Sequence, residues 1–344
     1  MKYRKLGTTQ EEVSVICLGT MTWGNQNTEA EGHDQMSYAL EQGVNFFDTA
    51  ELYAVPASAE TSGKTEEIMG TWFKKTGNRD KVFLASKIAG PGPYTSHIRE
   101  ATDYSPQGLH DAVDGSLKRM QTDMIDLYQI HWPARATNFF GKRGYHHHEG
   151  WEDNFGMILE TLQEIIKSGK IRYIGISNET PWGFMTYLKH SAAKGLPRIM
   201  SVQNPYSLLN RLYEVGMAEM SIREKAGLLA YSPMAFGRLS GKYIEGKDTP
   251  SSRINQYSRM SRYNSENSLS ATQQYYDIAK ANGWSLAQMS LAWVNQQKFV
   301  TSNIVGASSV KQLEENINSI DIEIPKEVVK QINAVQEVYP DPAP

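Results

Sequence analysis

The 344-residue chain is 40% hydrophobic and 21% charged, and 35 Lys+Arg against 38 Asp+Glu leave a formal net charge of −3. That length holds a sizeable core, as one large barrel or two ordinary domains, while the near-neutral balance supplies no basic field for nucleic acid. A single cysteine, Cys17, excludes an internal disulfide and fits a reducing compartment; no apolar run reaches signal-peptide or membrane-spanning length, so a cytoplasmic protein with no membrane partner is expected.

Residues 2–6 and 12–15 alternate around Gly7-Thr8-Thr9 and predict a small hairpin. Residues 16–19 follow as a first buried strand. Thr28 and Glu31 make a capping box for a helix with Met36, Ala39 and Leu40 on one face, ending at Gly43. The apolar run Val44, Phe46, Phe47 predicts a strand over 45–48 that stops at Asp48, with Tyr53 shortly after it. A helix is expected over 65–75, then a strand over 82–86 closed by Lys87, a Pro/Gly-rich insertion over 88–104, a helix over 106–121 and a strand over 125–130 closed by His131. An irregular insertion, 132–150, holds His146, His147 and His148. A helix bearing Ile158, Leu162, Ile165 and Ile166 ends at Gly169. Strands are expected at 171–176 (running into Ser177-Asn178), 200–203, 228–231 and 303–305, with helical patterns between them. Further helices at 285–297 and 326–338 exceed what eight units require.

Asp48, Lys87 and His131 each close a strand at spacings of about 40 residues, the length of one strand–helix unit with its loops. One polar residue per unit, always at the carboxyl end of a strand, is how a (β/α)8 barrel assembles an active site. Strict alternation without a composition break predicts one α/β domain over 1–344, a TIM barrel with an N-terminal β-hairpin and extra helices. The alternative, a doubly wound sheet, predicts a Gly-rich fingerprint after an early strand. The sequence contains neither G-x-G-x-x-G nor a Walker A segment.

Asp48, Tyr53, Lys87 and His131 suit proton delivery to a carbonyl. A free tyrosine has a pKa of about 10, and a neighbouring ammonium favours the phenolate and lowers it. Lys87 is expected to supply that charge, Asp48 to hold and counter the lysine, and His131 to orient the substrate oxygen. Taken singly, each also reads as a loop cap, a solvated exit residue, a packing aromatic or a core histidine. Four complementary side chains at the strand ends of one barrel favour chemistry. No metal site is expected: H-x-H and H-E-x-x-H pairings are absent, and three consecutive histidines rarely face one ion. Cys17 lies inside a strand and has no base at recognisable spacing, which argues against a nucleophile.

The segments Phe-Phe-Asp-Thr-Ala-Glu-Leu-Tyr (46–53), Ser-Leu-Lys-Arg-Met-Gln-Thr-Asp-Met-Ile-Asp-Leu-Tyr-Gln-Ile-His-Trp-Pro (116–133) and Ile-Val-Gly-Ala-Ser-Ser-Val-Lys-Gln-Leu-Glu-Glu-Asn-Ile (304–317) resemble the aldo-keto reductase family, in order and over nearly the whole chain. Gln-Asn-Pro-Tyr-Ser-Leu-Leu-Asn-Arg (203–211) resembles a bacterial branch of it. The resemblance implies nicotinamide-dependent reduction of an aldehyde or ketone, NADP(H) as cofactor, Tyr53 as proton donor, and Asp48, Lys87 and His131 as its partners. It implies that Gly19 and Thr20 approach the nicotinamide end, that Ser177, Asn178 and Gln203 hydrogen-bond its carboxamide, and that Tyr231 stacks on its ring. Ser232, Pro233, Met234, Ala235, Phe236, Gly237, Arg238, Leu239, Ser240, Gly241 and Lys242 resemble the loop that closes over the pyrophosphate. Gly237 and Gly241 give that loop backbone freedom, and Lys242 with Arg253 supplies positive charge. Ser308 and Ser309 open a helix carrying Gln312, Glu315 and Asn316, which match residues around a phosphate.

The chain also departs from the family pattern. Gly306 and Gln312 stand where some members carry a lysine and an arginine for the 2′-phosphate. This resembles the branch containing potassium-channel β-subunits, which bind the phosphorylated cofactor. Ala54 follows the tyrosine where glycine is frequent, in a long 53–64 loop. The insertions 88–104 and 132–150 are expected to shape the substrate mouth. The competing expectation is an NADPH-binding regulatory or partner subunit with little turnover; the complete set of four favours the enzyme.

Overall fold

The computed structural model describes every residue except 94, 100–101 and 258–261. The chain opens with an antiparallel hairpin, β1 (Tyr3–Lys5) and β2 (Glu12–Ser14). Eight parallel strands then close into a barrel: β3 (Ile16–Gly19), β4 (Phe46–Asp48), β5 (Phe83–Ile88), β6 (Ile125–Ile130), β7 (Ile171–Ser177), β8 (Ile199–Pro205), β9 (Gly227–Tyr231) and β10 (Val300–Val305), with β10 pairing back onto β3. Around them lie α1 (Glu29–Glu41), α2 (Lys64–Thr76), α3 (Pro106–Met120), α4 (Phe155–Lys167), α5 (Pro181–Lys194), α6 (Tyr213–Arg223), the single turn α7 (Arg253–Gln256), α8 (Glu266–Ala281), α9 (Leu286–Asn295), α10 (Val310–Asn318) and α11 (Lys326–Val338). This is the (β/α)8 barrel that the alternation of elements predicts.

Strands covered on both faces are largely apolar on both, and β4, β5, β6 and β10 are buried along their whole length. Alternate residues therefore divide between two cores. Phe47, Leu84, Tyr128 and Leu228 face the helices, while Cys17, Phe46, Phe83, Ala85, Leu127 and Leu229 fill the barrel together with Leu6 and Val13 of the hairpin. The hairpin thus plugs the amino-terminal end. Arg4 fixes it there, donating to the main-chain oxygens of Asn295 at 2.6 Å, Gln297 at 3.4 Å and Val300. The open, carboxyl-terminal end is left for the site.

Helix starts follow their side-chain caps. Thr28 and Glu31 form the expected capping box on α1, and Ser285 with Gln288 forms a second on α9. The strand predicted over 82–86 continues to Ile88, because Lys87 and Ile88 pair in register with Gln129 and Ile130 of β6. Lys87 therefore lies within a strand rather than beyond one. Among the described residues, no helix is long and apolar enough to cross a membrane.

Candidate active site

Asp48 ends β4 and is 2% exposed; Lys87 in the neighbouring β5 is fully buried. An ammonium and a carboxylate out of water are tolerated only with well-made bonds, and these two have them. Lys87 Nζ donates to Asp48 Oδ2 at 2.6 Å and to the main-chain oxygen of Thr49 at 2.7 Å. The other carboxylate oxygen, Oδ1, accepts from Gln203 Nε2 at 2.8 Å and Gln129 Nε2 at 3.2 Å. A turn closed by the Tyr53 amide on Ala50 brings the chain back, so that Lys87 Nζ lies 5.0 Å from the centre of the Tyr53 ring. His131, directly after β6, meets that ring edge-on at 5.8 Å. The four side chains singled out in the sequence are thus gathered at one barrel mouth.

Burial pushes the Tyr53 phenol up; Lys87 pulls it down by charge and hydrogen bonding, Asp48 adds to the rise, and the net direction is upward. The expectation of a phenol more acidic than free tyrosine is corrected here, since desolvation outweighs the ammonium. Burial also opposes the charge on Lys87, but Asp48 and Tyr53 outweigh it and its pKa rises. His131 is pushed well below the usual imidazole range by burial and then by Lys87, so its ring is neutral near neutral pH. Its Nδ1 is buried without a hydrogen-bond partner among the described residues. Cys17 is held as a thiol, raised by burial and by Asp48.

The residues matched to a cofactor surround this group. Gly19 pairs with Asp48, and Thr20 Oγ1 donates to the Asp48 main-chain oxygen at 2.9 Å. Ser177 Oγ donates to the Gln203 carbonyl at 2.7 Å. Asn178 donates to the His131 carbonyl at 2.9 Å and accepts from the Tyr231 hydroxyl at 2.7 Å. Ser232, Ala235 and Phe236 all adopt left-handed backbone, at φ 54°, 46° and 56°. Three such residues so close together are costly and mark a segment held by its surroundings.

Not every side chain of that segment faces the mouth. Pro233 is buried, Ala235 and Leu239 pack into the outer core, and Met234 packs against it. Arg238 is 7% exposed, donating to the Tyr263 carbonyl at 3.0 Å and to Asn264 Oδ1. Ser240 Oγ turns back to the Gly237 carbonyl at 2.7 Å. Arg253 reaches Gln26 Oε1 at 3.4 Å, and Asn27 donates to the Ser308 carbonyl at 3.1 Å, so the 22–27, 232–257 and 306–309 segments adjoin. Burial pushes the pKa of both Lys242 and Arg253 down, and Arg253 lowers Lys242 further. Ser309 caps α10 on the Gln312 amide; Gln312 accepts from Ser308, Glu315 from Ser285, and Asn316 donates to the Gly306 carbonyl.

Several site residues escaped sequence reasoning. Glu51, 2% exposed, accepts from the Ala89 amide and from Arg99 Nη1, both at 2.6 Å, tying the Tyr53 loop to the segment after β5. Nothing local in the sequence links residues so far apart. Gln129 carried a signal, being polar and two residues before His131 in a strand whose alternate residues face inward. Leu52, Ala89 and Trp132 form an apolar wall with Tyr53, Ile98 from one insertion and Phe139 from the other. Arg135 ion-pairs with Glu179 and lies over Trp182 at 4.9 Å and Phe155 at 5.4 Å, anchoring the 132–150 insertion to α4 and α5. His146, His147 and His148 are exposed, and no group of three or more His, Cys, Asp or Glu among the described residues is arranged to hold a metal ion.

Comparison with known proteins agrees with this fold. Residues 15–337 match the aldo/keto reductase family. Protein tas of Escherichia coli is 46% identical over 350 residues, covering 100% of both chains. An uncharacterized oxidoreductase of Bacillus subtilis, YrpG, is 32% identical over 99% of this chain and 97% of its own. An aldo-keto reductase of Schizosaccharomyces pombe, yakc, whose name carries NADP(+), is 28% identical over 96% of this chain and 89% of its own. A closed parallel barrel, a family match running almost from end to end and a full-length relative of this identity lead to one conclusion: the chain belongs to the aldo/keto reductase family.

Proposed function

We propose that the protein reduces an aldehyde or ketone to the alcohol, with NADP(H) as hydride source and Tyr53 as proton donor. Family membership carries the coarser part, an oxidoreductase of small carbonyl compounds. The finer reading is carried by one observation: the buried Lys87–Asp48 pair, closed at 2.6 Å, beneath the Tyr53 ring. Tyr53 gives its proton to the carbonyl oxygen as that oxygen becomes negative. Lys87 stays an ammonium and lowers the energy of the phenolate left behind, while Asp48 holds it in place. Because burial raises Tyr53, the resting form at neutral pH is the phenol, the acid the reduction needs. The neutral His131 ring, free of hydrogen bonds to described residues, orients the substrate oxygen.

The dinucleotide, when bound, supplies the hydride. Lys242 and Arg253 suit its anionic part, since each is half-buried, burial lowers the pKa of both, and neither makes an ion pair with a carboxylate among the described residues. Gly19, Thr20, Ser177, Asn178, Gln203 and Tyr231 would hold its nicotinamide end. The name of the Schizosaccharomyces pombe relative supports the phosphorylated form.

The test follows NADPH oxidation with a panel of aldehydes and ketones. Wild type is expected to turn over, and Tyr53→Phe to lose roughly 10²–10⁴-fold in kcat with cofactor affinity little changed. Undiminished turnover in Tyr53→Phe would overturn the proton-donor assignment. Lys242→Ala and Arg253→Ala are expected to weaken NADPH more than NADH, read by cofactor fluorescence; equal losses on both would reject a 2′-phosphate role.

A further inference from the structure

We infer that Gln129 is a positioning residue of this reduction: its side-chain amide, bridging Asp48 and Gln203 inside the barrel, holds the carboxylate that in turn holds Lys87. The inference rests on the proposed roles of Tyr53 and Lys87 and adds a residue to them.

Gln129 is fully buried in β6, in register with Lys87 on one side and Gly175 on the other. Its Nε2 donates to Asp48 Oδ1 at 3.2 Å, and its Oε1 accepts from Gln203 Nε2 at 3.2 Å. Gln203 Nε2 also donates to that same Asp48 oxygen, at 2.8 Å. Side chains from β4, β6 and β8 thus close a triangle across the barrel. The carboxylate is divided by it, one oxygen for the ammonium and the other for two neutral amides.

Packing alone does not ask for an amide here. Leu127, the inward residue one step below on the same strand, fills the barrel with an apolar side chain, and a buried amide is unfavourable unless bonded. The neighbouring strand leaves room for it as well. A Cβ on Gly175 would stand 3.2 Å from Gln129 Cγ and 2.8 Å from Ser201 Oγ.

Among the described residues, the ionisable groups facing this centre are Cys17 from β3, Asp48 from β4, Lys87 from β5, His131 after β6, Tyr231 from β9, and Tyr53 above. Burial holds Cys17, Tyr53, Tyr231 and His131 uncharged near neutral pH, which leaves the Asp48–Lys87 pair as the charged groups. An amide on Oδ1 draws carboxylate charge away from Lys87, so more of the ammonium's field reaches the phenol. Without it, the carboxylate neutralises Lys87 more fully and Tyr53 becomes harder to ionise.

The experiment compares wild type, Gln129→Met, which keeps the volume and loses the amide, and Gln129→Glu, which places a second carboxyl group beside Asp48. Each is made with and without Tyr53→Phe. Tyr53 ionisation is read in the cofactor-free protein by rapid pH-jump ultraviolet difference titration, subtracting the matching Tyr53→Phe protein, and kcat and KM are read against pH. Gln129→Met is expected to move Tyr53 ionisation upward by about half a pH unit or more and to lower kcat roughly tenfold with little change in KM. Gln129→Glu is expected to move it further in the same direction, and carries the test alone where the methionine protein folds poorly. Titrations and kcat profiles that superimpose on wild type in both variants, with only the melting temperature lowered, would reduce Gln129 to packing and overturn the inference. Turnover surviving in Tyr53→Phe would instead sink the proton-donor reading, a separate result from a separate protein.

Discussion

Burial beside Lys87 holds the His131 imidazole well below its usual pKa. The unfolded side chain takes up a proton near pH 6.5, while the folded one does not. The group therefore contributes stability that is present above about pH 6.5 and lost as the pH falls toward the folded value. Chemical denaturation of wild type and His131→Gln on both sides of that value should show wild type losing up to about 1.4 kcal/mol more per pH unit on the acid side. Parallel losses would mean that the imidazole titrates as in a free peptide. The polar residues closing three apolar runs, Asp48, Lys87 and His131, were legible in the sequence because a polar break in a buried strand stands out. The direction of the Tyr53 shift was not legible, because desolvation depends on what the fold later stacks around the ring. Glu51, Arg135 and Glu179 were missed for a related reason: their partners lie far away in the chain, and no period connects them.

At the scale of elements, regular strands and helices could be read from their periods, whereas the insertions could not. β6 begins and ends where its apolar run does, and α11 spans the predicted residues 326–338. β5 outran its prediction by absorbing Lys87, whose charge is answered inside the barrel rather than by solvent. The 132–150 insertion has no regular period, and a buried ion pair anchors it near its start. Arg135 is 11% exposed and Glu179 3% exposed, with Trp151, Phe155 and Trp182 around the guanidinium. Removing one partner of a buried pair costs about 3–5 kcal/mol, because the other charge is left alone. Arg135→Leu should therefore destabilise the fold by that order and expose 136–150 to proteases. Limited proteolysis with mass mapping reads this, and a cleavage pattern identical to wild type would show that the insertion is held by other contacts.

At the scale of the whole molecule, the parallel barrel was legible from the alternation of units and their count. Its closure was not written in any local pattern, since β3 and β10 sit at opposite ends of the sequence and meet only in the finished ring. The hairpin beneath the ring makes a testable contribution. Arg4→Ala would leave the main-chain oxygens of Asn295 and Val300, at the foot of the barrel, without their donor. The expected cost is about 1–3 kcal/mol with kcat unchanged, because Asp48, Tyr53, Lys87 and His131 lie at the other end. Equal losses in the melting transition and in turnover would mean that the two ends are mechanically coupled.

Since β10 bonds to β3, the ring has no outermost member and offers no row of unpaired amides for a foreign polypeptide to zip onto. Among the described residues, the remaining strand margins belong to the three-residue β1 and β2, with Lys2, Arg4 and Lys5 alongside. Such margins are short and charged, which discourages recruitment of a neighbour. Self-association of this protein is therefore expected to favour helix surfaces and loops, where a few outward-facing substitutions can tune crowding behaviour while the group around Lys87 stays untouched.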